Sequence, residues 1–397
     1  MGRILEDIRV LDLTHVVFGP WCTKMLAELG AEVIKIEPPW GALDRIPERG
    51  PMYGGTSASF QYVNLNKKDI AIDLKNQKGV KIFLELLKLS DVVVENFSPG
   101  TMQRLGLSYE EVKKVKPDII YASLSGFGQT GPYSPRPSYA PIAEAMSGHT
   151  RQTGDGVNPD GPPINMAGTW GDVAPGTMAA MSIIAAIRYR DKTGVGQWVD
   201  VAQLDCMAAY NYSNITTYLL SGKDEAQRRR EQEDLEKRIG PAAITFGGLW
   251  RTRDGGYVQL AGMRAKGLDA LRQRMGVKEL DREVLKRFVE GMTREEAVNY
   301  FVDVGLPVAP VLYASETVKD PQFIARNMLI EVEHPKLGRI KVMNFPVKFS
   351  ETPGEVRTAA PLLGQHNREI LRNYLGYSDD EITQLLKEGV IAAEKAS

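Results

Sequence analysis

A single carboxylate, Asp172, stands in the run Gly168-Thr169-Trp170-Gly171-Asp172-Val173-Ala174-Pro175-Gly176, with no other acid or base beside it. Pro175 opens a stretch of small and apolar residues, 176–189, whose composition predicts a long helix running out into Arg188, Arg190 and Lys192. Proline suits a first helical turn, and an acid there complements the partial positive charge of a helix N-terminus. One reading of Asp172 is therefore a helix cap. The other is chemical. A carboxylate held at a loop–helix junction can attack an acyl carbon and carry a covalent intermediate. On that reading Gly171 and Gly176 let a second molecule come close. The two roles are compatible.

The elements that must position this acid alternate along the chain. Residues 8–13 read as a buried strand, 21–29 as a helix stopped by Gly30, and 31–37 as a second strand. Further strands are expected at 70–74, 91–97, 119–125 and 198–202, with helices beginning near Lys75 and Ser108. Strands alternating with helices at this spacing imply an α/β protein with a doubly wound parallel sheet. Ligands of such sheets sit beyond the carboxyl ends of the strands. The loops there collect Phe18, Asn96, Phe97, Arg104, Gly126 and Gly128. The first loop holds one glycine, Gly19, so the Gly-rich dinucleotide turn is absent although Glu37 ends the second strand. Residues 133–163 read as loop, 205–220 as an apolar helix, and 222–238 as a solvated stretch of balanced charge.

The chain has 397 residues, 43% hydrophobic and 25% charged, the profile of a soluble protein of two or three domains. Its 49 basic and 50 acidic residues leave a net charge of -1, which argues against nucleic acid as a partner. Cys22 and Cys206 lie in apolar patterns, as buried free thiols of a reducing compartment would. The N-terminal residues lack a basic-then-apolar leader, and no uninterrupted apolar run looks long enough to span a bilayer. The expectation is a cytoplasmic protein with no membrane partner. His15, His149, His334 and His366 show no metal-like spacing, so no metal site is expected.

Several segments together carry a specific resemblance. They are Val10-Leu11-Asp12-Leu13-Thr14 with Gly19-Pro20, Leu29-Gly30-Ala31-Glu32-Val33-Ile34-Lys35-Ile36-Glu37, and Asn64-Leu65-Asn66-Lys67-Lys68. Val94-Glu95-Asn96-Phe97-Ser98-Pro99-Gly100, Ser125-Gly126-Phe127-Gly128-Gln129-Thr130-Gly131-Pro132, Gly171-Asp172 and Thr193-Gly194-Val195-Gly196-Gln197 continue the series to Leu363-Gly364-Gln365-His366-Asn367. In them the chain resembles the class III CoA-transferases of the CaiB/BaiF type, the family that includes formyl-CoA transferase and carnitine CoA-transferase.

The resemblance implies a Rossmann-like parallel-sheet large domain, a smaller α+β domain, and an interlocked ring-like homodimer. The boundaries it suggests are 1–205 for the first part of the large, CoA-binding domain, 206–239 for a charged helical connector, 240–325 for the small domain, and 326–397 for a return segment that completes the large one. It places Asp172 as the nucleophile that carries, in turn, an acyl anhydride and a CoA thioester. The partners implied are an acyl-CoA donor and a carboxylic acid acceptor, with CoA thioesters as substrates and no permanently bound cofactor. It implies that Val17 and Phe18 line the CoA loop, that Ile72, Asp73, Leu74 and Lys75 meet the nucleotide, and that Asn96, Phe97 and Ser98 cover the pantetheine. It further implies that Arg104 pairs with a CoA phosphate and that Tyr139 lies near the reacting thioester. Gly247-Gly248 stand where the formyl-CoA enzyme has a longer glycine run, and Val17 where it has Gln. Those departures argue against oxalate or formate, and Phe18, Trp21 and Trp40 leave room for a larger, more apolar acid. Two alternatives remain. A non-catalytic CoA-binding protein would not need the carboxylate. The α-methylacyl-CoA racemases of the same family carry an Arg-x-Gly-His-Asp pattern where this chain has Arg136-Pro137-Ser138-Tyr139-Ala140, without the acid–base pair that racemisation requires.

Overall fold

The computed structural model describes residues 2–45, 51–239, 247–261 and 265–394. The chain divides into two compact units, residues 1–213 with 327–397, and residues 214–326. Gly240, where the sequence suggests that the small domain opens, lies outside the described residues.

The first unit is built on seven strands: β1 (Arg9–Leu13), β2 (Glu32–Glu37), β3 (Lys67–Ile72), β4 (Val92–Glu95), β5 (Ile120–Ser125), β6 (Trp198–Ala202) and β7 (Ile391–Ala392). Their order across the sheet is β7-β3-β2-β1-β4-β5-β6. The first six are parallel, and β7 pairs antiparallel with β3 at the edge. The order 3-2-1-4-5-6 is the doubly wound arrangement, and its direction of winding reverses between β1 and β4.

Parallel strands covered on both faces read as continuous apolar runs, because neighbouring residues point into two different cores. Leu11, Ile34, Ile70 and Val93 join one core with Phe83 and Leu86 of the helix α2 (Gln77–Lys88). Val10, Val33, Val92 and Val94 join the other, with Cys22 and Leu26 of α1 (Phe18–Glu28). The chain's end completes the first core through Ile370 and Leu371 of the helix Asn367–Asn373 and Ile382 and Leu385 of the helix Asp379–Lys387. The second of these helices starts with the capping box that Ser378 and Glu381 suggest.

Three helical expectations are corrected. After α3 (Tyr109–Val115), the segment 133–163 is not wholly loop but holds α4 (Ala140–Met146) and α5 (His149–Val157). Pro141 in the first turn of α4 is compatible with a helix start. The two glycines inside α5 hide it from any propensity argument. The helix after Asp172 does not begin at Gly176: α6 spans Trp170–Thr193, with Pro175 inside it. The segment 205–220 is two helices, α7 (Gln203–Tyr210) and Tyr212–Ser221, separated at Asn211, whose amide donates to the Ser147 carbonyl at 2.8 Å. Among the described helices α6 is the one long and apolar enough to cross a bilayer, although Asp172 and Arg188 interrupt its apolar run. Half of its most apolar window is buried, and Ala179, Ala180, Ile183 and Ile187 pack in the same core as Leu26 of α1.

The second unit carries an antiparallel sheet of Gly248–Arg251, Tyr257–Leu260 and Val308–Pro310. Trp250, Val258, Leu285 and Phe301 form its core. The helix Arg294–Asp303 begins with the capping box of Thr293 and Glu296.

Candidate active site

The switch between β1 and β4 is where the two loops beyond the strand ends meet. Asn96, just past β4, locks them together. Its Oδ1 accepts the His15 N–H and its Nδ2 donates to the His15 carbonyl, both at 2.9 Å. The Phe97 N–H donates to Glu95 Oε2 at 2.9 Å, and the rings of Phe97 and His15 lie 5.5 Å apart. Val16 has φ 69°, a left-handed conformation that is unfavourable for a β-branched residue. Strain of this kind persists only where the surroundings over-determine the backbone.

Buried charges beneath the loop supply that determination. Lys67 Nζ pairs with Asp12 Oδ2 at 2.9 Å and donates to the Pro20 carbonyl at 3.1 Å, while Lys35 Nζ donates to the Thr14 carbonyl at 2.7 Å. Burial would raise the Asp12 pKa, but Lys67 and Lys35 outweigh it and hold the carboxyl below its ordinary value. Burial pulls the Lys67 ammonium down to about 8 despite Asp12. The carbonyls of the first loop and of the first turn of α1 are thereby pinned by two buried ammonium groups.

Asp172 is the third residue of α6, and the helix N-cap is Thr169 rather than Asp172. The Gly171 N–H of that first turn donates to Glu144 Oε1 of α4 at 2.8 Å, so part of the capping expected of Asp172 falls to Glu144. Gln203, the first residue of α7, reaches back with Nε2 to Asp172 Oδ1 at 2.6 Å and to the Gly171 carbonyl at 3.0 Å. Pro175 explains the second bond. A proline has no N–H to return to the carbonyl four residues earlier, which is Gly171, and the Gln203 amide takes its place.

The two glycines flanking Asp172 serve packing. A Cβ on Gly171 would stand 2.5 Å from the Ala140 carbonyl oxygen, and one on Gly176 would stand 2.7 Å from that of Phe18. They let α6 approach α4 and α1 at backbone distance.

A cavity of about 310 Å³ opens at this strand edge. Among the residues named from sequence, Phe18, Asn96, Phe97, Ser98, Tyr139 and Asp172 line it together. Val17 does not, being the N-cap of α1, and its neighbour Val16 does. Ile72 is buried in the core at the end of β3, and Leu74 packs against that core. Asp73 accepts the Lys75 N–H at 2.9 Å in the turn that follows, and Lys75 Nζ stands 5.7 Å from the centre of the exposed Trp40 ring. These four occupy the same edge of the sheet, four strands away from the end of β5. At ~4.8 Å per strand that is ~19 Å. Arg104 is exposed and donates to Thr101 Oγ1 at 2.8 Å, and Thr101 lines the cavity. Of the aromatic residues suggested for acid binding, only Phe18 lines it. Trp21 donates to Thr177 between α1 and α6, and Trp40 sits beside Lys75. The cavity wall also includes His15, Ser125, Ser138 and Gln203, which the sequence reading did not single out. His149 opens α5 and places Nε2 3.1 Å from the Met207 carbonyl oxygen.

The fold is a doubly wound α/β sheet with a carboxylate in the wall of a cavity at its switch point. The chain belongs to CoA-transferase family III, whose model matches residues 5–367. It is 35% identical to succinyl-CoA–D-citramalate CoA-transferase of Chloroflexus aurantiacus over 98% of both chains, and 36% identical to human succinyl-CoA:glutarate CoA-transferase over 98% of this chain and 90% of that one. The crystal structure of a CaiB/BaiF family protein from Brucella suis superposes with a TM-score of 0.81 at 28% identity, covering 94% of this chain and all of the other. The protein is thus a CoA-transferase that acts on CoA thioesters.

Proposed function

We propose that this enzyme moves CoA from an acyl-CoA donor to a dicarboxylic acid acceptor by covalent catalysis at Asp172. The observation that carries the reading is the Asp172 carboxylate, held by Gln203 in the wall of a cavity at the switch point of the sheet. Asp172 attacks the donor thioester, forms an acyl anhydride and releases CoA thiolate. The thiolate returns to Asp172 and frees the donor acid. The acceptor carboxylate then attacks the aspartyl-CoA thioester, and the second anhydride resolves to the new acyl-CoA. Covalent catalysis divides one difficult exchange into easier ones.

CoA lies along the strand edge, with the thioester at Asp172 and Tyr139, the pantetheine against Asn96, Phe97 and Ser98, a phosphate at Arg104, and the nucleotide near Asp73 and Lys75. The choice of dicarboxylate is supported by the names of the relatives, whose acceptors include D-citramalate and glutarate. The working form is an interlocked homodimer, a reading supported by the exposed Tyr212, Leu219 and Leu220. A reducing, cytoplasmic setting is supported by the buried free thiols Cys22 and Cys206.

The test is mass spectrometry of CoA transfer from succinyl-CoA to a panel of dicarboxylates, with wild type and Asp172→Ala. Transfer by wild type and its loss in Asp172→Ala, with CoA binding retained, are expected. Full transfer by Asp172→Ala would refute the covalent role.

A further inference from the structure

Gln203 contributes both N–H groups of its side-chain amide, one to the Gly171 carbonyl and one to Asp172 Oδ1. It is 4% exposed, so neither bond competes with bulk water. The carbonyl that Pro175 leaves without its helical partner fixes the amide's orientation, because turning it over would set its oxygen against two acceptors. The donor aimed at Oδ1 is therefore preorganised.

The geometry points to Gln203 as a catalytic residue: its Nε2–H is the oxyanion donor for every attack on the carbonyl carbon of Asp172 itself. This rests on the covalent route proposed above. In that route Oδ2 bonds to the donor's acyl carbon while the C–S bond breaks and CoA leaves as thiolate, so Oδ1 becomes a carbonyl oxygen. The thiolate then adds to Cγ, and the electron pair of the Cγ–Oδ1 π bond moves onto Oδ1. The pair returns as the Cγ–Oδ2 bond breaks, and Oδ2 departs with the donor acid. An acceptor carboxylate oxygen adds to Cγ in the same way and expels the thiolate.

Oδ1 thus carries part of a charge in the free carboxylate, none in the anhydride or thioester, and a full one at each tetrahedral point. A donor fixed 2.6 Å from Oδ1 strengthens as that charge grows. With one N–H on the Gly171 carbonyl and the other on Oδ1, the amide has no donor left for the donor's own carbonyl oxygen, so the first attack gains nothing from it. Gln203 therefore acts on the chemistry at Cγ and not on the opening of the donor thioester.

Discharge of the loaded enzyme isolates that chemistry. Wild type and Gln203→Met are charged with succinyl-CoA, freed of small molecules, and treated with hydroxylamine, which attacks Cγ of the loaded Asp172. Release of CoA thiol is followed in time. Gln203→Met is expected to discharge roughly 10²–10³-fold more slowly, the loss typical of one oxyanion donor. Gln203→Glu decides if the Met variant does not fold. Its ionised carboxylate offers no donor and its protonated form does, so its rate relative to wild type at the same pH rises as the pH falls from about 8 towards the carboxyl's pKa, about 4.3 when unperturbed. A purely structural role leaves that ratio flat. Wild-type discharge by Gln203→Met, or a flat ratio for Gln203→Glu, overturns the assignment of Gln203 and leaves Asp172 standing. A wild type that takes up no CoA overturns the covalent route and the role of Gln203 with it.

Discussion

Replacing Gly171 by Ala tests whether the position of Asp172 depends on the contact between α6 and α4. The new Cβ would lie 2.5 Å from the Ala140 carbonyl oxygen, 2.8 Å from its Cα and 2.9 Å from its carbonyl carbon. All three are backbone atoms, so no side chain can swing aside. Ordinary contact begins at 3.4 Å, and the first turn of α6 must therefore withdraw by about 0.9 Å. Overpacking of this kind costs about 1–3 kcal/mol. The larger effect is on rate, because Asp172 is the next residue and moves with that turn. A displacement of about 1 Å at a reacting group can cost about 10²-fold. The expected outcome for Gly171→Ala is a fall in kcat of about two orders of magnitude, little change in KM for acyl-CoA, and a Tm lower by several degrees. Steady-state kinetics with differential scanning calorimetry reads all three. A Gly171→Ala enzyme with wild-type kcat would refute the argument that close helix packing sets the nucleophile.

Gly156, inside α5, has no atom within 4 Å of where a Cβ would stand, so Gly156→Ala should raise stability by about 0.5–1 kcal/mol in urea unfolding, and a loss would contradict the packing assigned to α5. Burial pushes the Glu95 carboxyl up to about 7 from 4.5, against the Ser123 hydroxyl and the Phe97 N–H that favour its charged form. A folded-state pKa raised in this way means that the native protein holds the proton longer, so the Glu95 contribution falls by ~3 kcal/mol as pH rises from 4.5 through 7. Unfolding measured on both sides of that window should show the fall in wild type and its loss in Glu95→Gln; an equal fall in both would count against it. Arg104→Ala should raise KM for acyl-CoA by the equivalent of roughly 1.5–3 kcal/mol with unchanged Tm. An unchanged KM would return Arg104 to a surface bond with Thr101.

The sheet was legible because its strands are buried on both faces. Runs such as Asp91-Val92-Val93-Val94-Glu95 and Ile119-Ile120-Tyr121-Ala122 leave little choice of element, and the strand ends pointed to Phe18, Asn96 and Phe97 directly. Asp172 stood out because no other ionisable residue neighbours it. What surrounds it was not legible, since those contacts join distant parts of the chain. Gln203 lies 31 residues from Asp172, and a lone Gln after a strand looks like any helix start. One signal was available: a proline in what proves to be the second turn of α6 leaves the Gly171 carbonyl in need of an outside donor. The flanking glycines were ambiguous because glycine permits a helix to approach as readily as a ligand. Val16 carries no local mark of its positive φ, which the buried Asp12, Lys35 and Lys67 beneath the loop help to impose. α5 escaped because its Gly154 and Gly156 argue against helix, while Gly154 in fact lets the Pro162 carbonyl pack close.

The covalent route through Asp172 leaves an isotopic record. When the acceptor carboxylate attacks Cγ, one of its oxygens becomes the bridge of the second anhydride and stays on Asp172 when CoA thiolate takes the acyl group. Enzyme turned over with an acceptor labelled with oxygen-18 in its carboxylate, then digested and weighed by mass spectrometry, should yield an Asp172 peptide heavier by one oxygen-18 relative to enzyme incubated with labelled acid but no acyl-CoA. Labelled acyl-CoA product alongside an unlabelled Asp172 peptide would contradict the account.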